Sequence, residues 1–209
     1  MPIVENIRDL GVLVDSRLSF RDHIDSIVSR GHVRAAQIWR CFMCKNVDNL
    51  IKAFTTYVRP MLEYCSPVWS PVSPNMVNHV ESVQRRFTKR LPGFCSLVYN
   101  ERCARLGIER LELRRLHADL TTCFRIVHGL VALQSDNFFN IDHDHITRGH
   151  SFKLFLPPSR VNCRKHFFAV RVINAWNSLS NEIVSTDRLS LFKSRLKQVD
   201  LSKFMVGKP

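Results

Sequence analysis

Glycine, proline and long apolar runs are all scarce in this 209-residue sequence. It holds 7 Gly and 9 Pro, which is too few for a chain of globally disordered, low-complexity character. Apolar stretches stay well short of the roughly 20 residues that a transmembrane helix needs. Met1 to Glu5 show neither the basic nor the apolar region of a secretory signal. We therefore expect an intracellular protein with a packed core and no membrane partner. The sequence does not distinguish a nuclear from a cytoplasmic location.

Common active-site motifs are also missing from the sequence. It contains no G-x-S-x-G nucleophile elbow and no G-x-x-x-x-G-K-[ST] phosphate loop. Two-metal nucleotidyl transfer requires clustered carboxylates, but no adjacent Asp-Asp pair occurs, and Asp9 and Asp15 are six residues apart without further support. We predict that the chain as it stands has no catalytic residues and is not an enzyme.

Metal-binding patterns are weak. The seven cysteines are odd in number and scattered, which favours a reduced chain over a disulfide scaffold. Cys41 and Cys44 form one C-x2-C pair, but no second pair follows at the spacing of a zinc finger, so buried helical cysteines are the favoured interpretation. Asp142–His145 alternates acids and histidines, and an extended strand would place them on opposite faces. A solvated loop is favoured there, and we predict neither metal nor cofactor.

Positive charge is abundant and unevenly distributed. The formal net charge is +13. Three windows contain several Lys or Arg and no acid: those between Asp25 and Asp48, between Glu81 and Glu101, and between Asp144 and Glu182. Such windows favour a polyanion-binding surface. An inert basic surface and an anionic membrane surface are the alternatives.

Hydrophobic periodicity predicts a mainly α fold with a small N-terminal β-hairpin. The β-rich run Ile7–Val14 is expected to turn at Asp15-Ser16. Apolar residues at spacings of three and four then predict helices over most of the chain, at about 20–44, 48–57 with an extension to 64 kinked by Pro60, 74–91, 99–106, 111–130, 167–179 and 187–199. Prolines predict a loop over Ser66–Pro74, with Ser73 capping the helix that follows.

The densest basic motif lies at the end of the predicted helix 74–91. Helical spacing places several of its charges on one strip, which can follow a phosphate backbone without discriminating sequence. These four residues are the first predicted nucleic-acid contacts: Arg85, Arg86, Lys89 and Arg90. The second predicted set comes from the third acid-free window: Arg148, Lys153, Arg160, Arg164, Lys165 and Arg171. An ordinary solvated helix end is the alternative interpretation of the first set.

The order of several short motifs resembles the C-terminal region of LINE-type, jockey-like non-LTR retrotransposon reverse transcriptases. The motifs extend over nearly the whole chain and are individually weak: Leu10-Gly11-Val12 with Asp15, Leu18-Ser19-Phe20 and His23-Ile24; Tyr57-Val58-Arg59-Pro60-Met61-Leu62-Glu63-Tyr64 with Pro67-Val68-Trp69; Val83-Gln84-Arg85-Arg86-Phe87-Thr88-Lys89-Arg90-Leu91 with Pro92-Gly93; Tyr99, Glu101-Arg102, Leu106-Gly107 and Arg114-Arg115; and Thr147-Arg148-Gly149-His150, Phe167-Phe168, Arg171-Val172-Ile173 and Trp176-Asn177-Ser178-Leu179. One departure is Ser180, where the family usually has proline.

The resemblance implies a division into three regions. Residues 1–19 would end a palm-like β element, 20–134 would form a thumb-like helical region, and 135–209 a basic C-terminal region with two helices. The family's aromatic-Ala-Asp-Asp motif, which holds Mg²⁺ in the full-length enzyme, would precede every residue present here. We therefore expect a truncated, catalytically incomplete piece of an RNA-directed DNA polymerase.

Partners follow from the same expectation. The piece would hold RNA or an RNA–DNA template–primer duplex through phosphates. It could also associate with itself through faces exposed by loss of the palm, such as the apolar stripes of the helices at 111–130 and 167–179. The alternative function is a protein-interaction or orphan structural module with no role in nucleic-acid binding.

Overall fold

A two-stranded antiparallel hairpin begins the part of the chain that the computed structural model describes, residues 5–141 and 150–207. Strands β1 (Asn6–Asp9) and β2 (Val12–Asp15) pair with Asn6 opposite Asp15 and Asp9 opposite Val12. Leu10 and Gly11 form the turn, with φ of 43° and 89°. Two positive φ values in a two-residue loop are those of a type I′ turn, which suits the twist of a hairpin. The hairpin prediction is confirmed, but its strands join at Leu10-Gly11. The turn predicted at Asp15-Ser16 follows β2, where Leu18 N–H donates a hydrogen bond to Asp15 O at 3.0 Å.

Asp15 instead organises the connection from the hairpin to the first helix. Its carboxylate accepts hydrogen bonds from the backbone N–H groups of Arg17, Ser19 and Phe20. Partial burial pushes the pKa of Asp15 upward, but the bonds from Ser19, Phe20 and Arg17 outweigh it and lower the pKa. The side chain of Asp15 thus reinforces the turn that its own carbonyl closes with Leu18 N–H.

Helices dominate the rest of the chain, as the periodicity predicted. Their bounds are α1 Arg21–Cys41, α2 Val47–Tyr57, α3 Arg59–Glu63, α4 Ser66–Trp69, α5 Pro74–Lys89, α6 Tyr99–Leu106, α7 Leu111–Val127, α8 Asn162–Lys165, α9 Phe168–Arg171, α10 Ile173–Asn177, α11 Asn181–Val184 and α12 Leu189–Leu196. Short 3-10 turns occupy Ser135–Asn137 and Ser202–Phe204.

Local signals set several helix ends, and those at Pro60 and Ser73 were predicted. Pro60 lies in the first turn of α3, so the helix breaks after Tyr57, because proline has no N–H to donate and tolerates that position. Ser73 caps α5 by accepting a hydrogen bond from Met76 N–H, and Pro74 follows at the first helical position. Gly107, with a φ of 61°, ends α6.

Two local predictions are wrong. Ser66–Trp69 forms the one-turn helix α4 rather than loop, since Pro67 falls in the first turn, where a missing N–H costs nothing. The single helix predicted over 167–179 is divided into α9 and α10 around Val172. Helical spacing persists through that division, so the apolar pattern alone does not indicate it.

The described residues form two compact units, and the division falls within α7. The first comprises residues up to Arg114 together with the C-terminal residues from Val206, and the second comprises Arg115–Met205. The three regions predicted at 1–19, 20–134 and 135–209 were defined by resemblance to polymerase regions rather than by packing, and they stay a prediction.

The core of the first unit lies where α1, α2, α3 and α5 meet. Phe54 and Phe87 stack at a ring-centroid distance of 4.6 Å, and both are buried. Ile24, Ile27 and Leu62 are also almost fully buried there. Burial of such side chains contributes roughly 1.5–3 kcal/mol each, which holds α1 against α5.

The second unit has its own aromatic core. Phe124 of α7 stacks on Phe192 of α12 at 4.3 Å, and Trp176 lies 6.1 Å from the same ring. Trp176 is fully buried, and its indole N–H donates to Phe152 O. Leu120, Phe124 and Trp176 of the expected apolar stripes are thus buried.

Among the described residues, no helix combines the length and the apolar character needed to cross a bilayer.

Candidate nucleic-acid interface

The basic motif at the end of α5 is divided between the surface and the interior. Arg86, Lys89 and Arg90 are exposed. Arg85 is half-buried, with its guanidinium 4.9 Å from the ring centroid of Tyr99. Three of the four residues predicted from this motif therefore offer charge to solvent.

The inward side of the same motif consists of hydrogen-bonded polar residues. Gln84 is buried, and its side-chain amide donates to Tyr99 Oη at 2.9 Å and to Glu109 O at 3.0 Å. Thr88, also buried, donates to Gln84 O and accepts from Arg102 Nε at 3.1 Å. These residues fix the orientation of α5, so that the exposed cations point consistently outward.

Glu81, one turn before the motif, is a completely buried acid. Its carboxylate accepts a hydrogen bond from the Tyr99 hydroxyl. It also accepts hydrogen bonds from the backbone N–H groups of Leu111, at 3.0 Å, and Glu112, at 3.1 Å. It thereby satisfies donors at the N-terminus of α7, which have no partner within that helix. Burial, and then the charge of Glu81, raises the pKa of Tyr99, which stays a neutral donor. The acid nearest the basic motif in sequence is thus held inside.

α1 and α5 pack in parallel, and this packing sets the shape of the surface. Their contacts advance together along both helices. Asp25 pairs with His79 at 3.1 Å, His32 hydrogen-bonds Ser82 at 3.3 Å, and the ring of Trp39 lies 5.4 Å from that of Phe87. The acid-free window after Asp25 and the one after Glu81 therefore lie side by side, with the Asp25–His79 pair at the opposite end.

Six exposed cations result from this juxtaposition, three from each helix region: Arg30, Arg34, Arg40, Arg86, Lys89 and Arg90. In the described ranges, no carboxylate forms an ion pair with any of the six. We call this set the basic surface. Its members from α1 were noticed in the sequence as part of an acid-free window but were not predicted as contacts, because their proximity to α5 requires the tertiary fold.

Two hollows flank Val33 on this surface. One, of ≈280 Å³ between α1 and α5, is bordered by Arg86 and Arg90, and the other, of ≈200 Å³, is bordered by Arg30 and Arg34. Val33 lines both hollows and is 57% exposed. Positive charge therefore lies on each side of one exposed apolar ridge.

His32, which lines the hollow between α1 and α5, has a lowered pKa because of its burial and its positively charged neighbours. Burial, followed by the charges of Arg86 and His79, lowers the pKa of His32. His32 is therefore expected to be neutral at physiological pH, and the permanent charge comes from arginine and lysine.

Two other cations of the first unit, Arg59 and Arg114, lie against acids. Arg114 forms a two-pronged ion pair with Glu63 and a further contact with Glu109 at 3.4 Å. Arg59 lies 4.0 Å from the same Glu63. The hydrogen bond to Glu63 raises the pKa of Arg114. These residues stabilise packing and are not available for phosphate.

The residues of the second predicted set differ in their exposure and in their contacts. Arg171 makes a bidentate ion pair with the buried Asp119, at 2.9 and 3.0 Å, and donates to His166 O. Lys153 is half-buried, whereas Arg160, Arg164 and Lys165 are exposed. Arg164 also lies 5.6 Å from the ring centroid of Phe167. Arg148 lies outside the described residues.

Arg171 also borders a hollow of ≈510 Å³ in the second unit, together with Lys165, His166 and the segment 156–159. Burial, and then the charges of Lys165 and Arg171, lowers the pKa of His166. Of the second predicted set, Arg160, Arg164 and Lys165 are thus exposed, whereas Arg171 is committed to Asp119.

Metal ligands do not converge in the described part of the chain, which holds no group of three or more His, Cys, Asp or Glu arranged to bind an ion. Cys41 and Cys44 are both exposed, rather than buried in a helix as expected, because α1 ends at Cys41. The Asp142–His145 segment lies outside the described residues.

Comparison with known proteins yields one distant similarity. The chain is 27% identical over 130 residues to an uncharacterized protein of Caenorhabditis elegans, a match that covers 61% of this chain and 66% of that protein. It thus spans slightly less than two thirds of that relative's length. No family model matches the chain. No solved structure matches it either.

Proposed function

We propose that this chain is a catalytically incomplete piece of an RNA-directed DNA polymerase from a LINE-type, jockey-like retrotransposon, and that it binds template–primer nucleic acid through phosphates. The supporting observation is the parallel packing of α1 on α5, which joins two acid-free windows into one surface. The ordered motifs support the family assignment, and they include buried residues of α5 as well as exposed ones.

The electrostatics of the basic surface support sequence-independent binding. Its six cations are exposed, and guanidinium and ammonium groups contact phosphates without discriminating bases. Each phosphate that the protein neutralises releases counterions. A plot of log affinity against log salt concentration is therefore linear on duplex DNA, and each phosphate contact adds about −0.9 to its slope. Six contacts correspond to a slope of about −5.

A salt titration with a labelled RNA–DNA hybrid tests the proposal. The full chain should bind the hybrid with a slope near −5, measured by fluorescence anisotropy. The triple variant Arg86→Gln, Lys89→Gln, Arg90→Gln should reduce the magnitude of the slope by about 3, because each lost phosphate contact changes it by roughly 1.

The matched control removes the same charge from the second unit. Arg188, Lys193 and Lys197 are exposed and lie near or on α12. Changing all three to glutamine should leave slope and affinity nearly unaltered. A flat salt response, absence of binding at low salt, or equal losses in the two triple variants would contradict a localised phosphate-binding surface.

A protein-interaction module is the second candidate, favoured by apolar exposure at the hairpin. Ile7 is 61% exposed and Leu10 is 85% exposed, and Tyr64 beside them donates its hydroxyl hydrogen to Leu10 O. A contiguous exposed apolar patch often marks an interface. Light scattering after size exclusion distinguishes a concentration-dependent oligomer from a monomer. An Ile7→Lys, Leu10→Lys variant that abolishes the oligomer while retaining nucleic-acid binding would assign the hairpin to self-association.

A further inference from the structure

The hollow between α1 and α5 is short and lined mostly by apolar side chains. Its lining includes Val33, Ala36, Val83 and Phe87, and its border carries Arg86 and Arg90. We call it the α1–α5 groove. Ala36 contributes only a methyl group to this lining.

Both ends of the groove are defined by side-chain contacts. At one end His32 hydrogen-bonds Ser82. At the other, the guanidinium of Arg90 lies 4.9 Å from the ring centroid of Trp39, and Lys45 lies 5.5 Å from the same ring. From His32 to Trp39 the helix rises about 10 Å. This length suits one planar group better than the several turns of a partner helix, which docks through anchors spread along a groove.

We propose that the α1–α5 groove accepts an unpaired nucleobase, with the adjoining phosphates on Arg86 and Arg90. This inference rests on the proposed function and deepens it, because it specifies single-stranded or looped nucleic acid as the preferred ligand. The bases of a duplex are stacked inside the helix and cannot enter the groove without leaving the stack.

Charge and lining chemistry together favour this occupant. Arg86 and Arg90 are one helical turn apart, with a rise of about 6 Å between them, and the acid-free windows on both walls suit a polyanion. Single-stranded nucleic acids are held by a basic groove together with aromatic side chains on which bases stack, and Trp39 and Phe87 are aromatic residues of this lining. The valine, alanine and phenylalanine side chains of the lining have no hydrogen-bonding groups, so they do not discriminate the edges of the base.

An abasic oligonucleotide separates the contribution of the base from that of the phosphates. The full chain is titrated with a labelled single-stranded 12-mer of adenosine and with an abasic 12-mer that has the same backbone. The base-bearing strand should bind about tenfold more tightly at equal salt, as expected from the contribution of one stacked base. A duplex of the same length should bind like the abasic strand at matched phosphate number.

The variant Ala36→Leu should fill the groove without altering charge. It should remove the difference between the base-bearing and abasic strands and leave abasic binding unchanged. Ala104→Leu is the matched control, since Ala104 is exposed on α6, and it should retain the tenfold preference. Ala36→Met provides a second filling variant, and thermal unfolding of each protein establishes that it is folded.

The outcomes distinguish this inference from the proposed function. Equal affinity for base-bearing and abasic strands overturns the groove assignment while phosphate binding stands. A base preference that survives both Ala36 variants also overturns it, since the base would then bind elsewhere. No binding of any strand at low salt overturns both proposals. If an acidic, leucine-containing peptide binds in an Ala36-sensitive manner while the strands show no base effect, the groove serves a protein partner instead.

Discussion

His23 shows how a single buried side chain links the hairpin to the helices. Leu13 N–H donates to its Nδ1 at 3.2 Å, and the ring meets Trp69 edge-on at 5.3 Å. Because Nδ1 accepts, the proton of the neutral ring is on Nε2. Burial, followed by the charges of Arg30 and Arg8, lowers the pKa of His23. A second proton would break the bond to Leu13 and place a charge in the interior.

The first prediction is therefore an acid-sensitive contribution from His23. Its folded-state pKa lies below the unfolded value of 6.5, so the unfolded state takes up more protons as pH falls. The stability is present above about pH 6.5 and is lost below it, toward the folded pKa. His23→Asn keeps an acceptor for Leu13 N–H but cannot titrate. Urea unfolding should show a smaller loss between about pH 7.5 and 5.5 in the variant than in the parent. Equal losses would contradict this role.

Glu81 is the second residue on which the first unit depends. It is entirely buried and accepts three hydrogen bonds. We predict that Glu81→Ala lowers the free energy of unfolding by about 3 kcal/mol, because it strands the Tyr99 hydroxyl and two N–H donors of α7.

Denaturant titration of the full chain measures this loss, and Glu101→Ala provides a control at an exposed acid. The control should change stability by less than about 0.5 kcal/mol. A similarly small effect for Glu81→Ala would mean that water replaces the carboxylate and that the buried network is not required.

At the scale of elements, α5 shows which sequence signals suffice and which do not. Ser73 and Pro74 predicted its start. Its apolar Phe87 is 2% exposed, in keeping with the helical spacing of apolar residues. The burial of Gln84 does not follow from the sequence, since an amide is compatible with either side until its partners, Tyr99 and Glu109, are in place.

The same limitation applies to Arg85 and Arg171. Both belong to basic windows and were predicted as phosphate contacts. The structure places one over an aromatic ring and the other on Asp119, 52 residues away in sequence. Long basic side chains can bury their stems and pair internally, and spacing in one segment carries no information about an acid contributed by another.

Gly31 lies in the interior of α1. Glycine at such a position costs about 1 kcal/mol relative to alanine, and the packing around it supplies a reason for its presence. In the structure, a Cβ at Gly31 would lie 3.1 Å from Leu62 Cδ2 and 3.3 Å from Val83 Cγ1. The missing side chain therefore permits the close approach of α1 to α3 and α5.

We predict that Gly31→Leu destabilises the chain by roughly 1–3 kcal/mol through overpacking. Gln37→Leu, at an exposed position of the same helix, should be nearly neutral. Thermal and urea unfolding of both variants decide the matter: comparable stabilities would mean that the helices separate easily and that their spacing is not fixed by Gly31.

At the scale of the whole molecule, composition and periodicity were sufficient for the fold class. The chain is mainly helical with one small antiparallel hairpin, as predicted. The sequence predicted the two basic segments that form the basic surface, but not that they lie next to each other. Each acid-free window is visible in the sequence, but Asp25 and Glu81 are 56 positions apart, and only the packing of α1 on α5 makes their windows neighbours.

Parallel packing of α1 and α5 has a further electrostatic consequence. Each helix carries a macrodipole equivalent to roughly half a negative charge at its C-terminal end, and two parallel helices place these ends together instead of cancelling them. Lys45 already donates to the terminal carbonyls of Trp39 and Phe42. About one unit of the positive charge near Arg40, Lys89 and Arg90 thus offsets backbone carbonyls before any ligand arrives. The attraction felt by a distant polyanion should therefore be weaker than six full charges would exert.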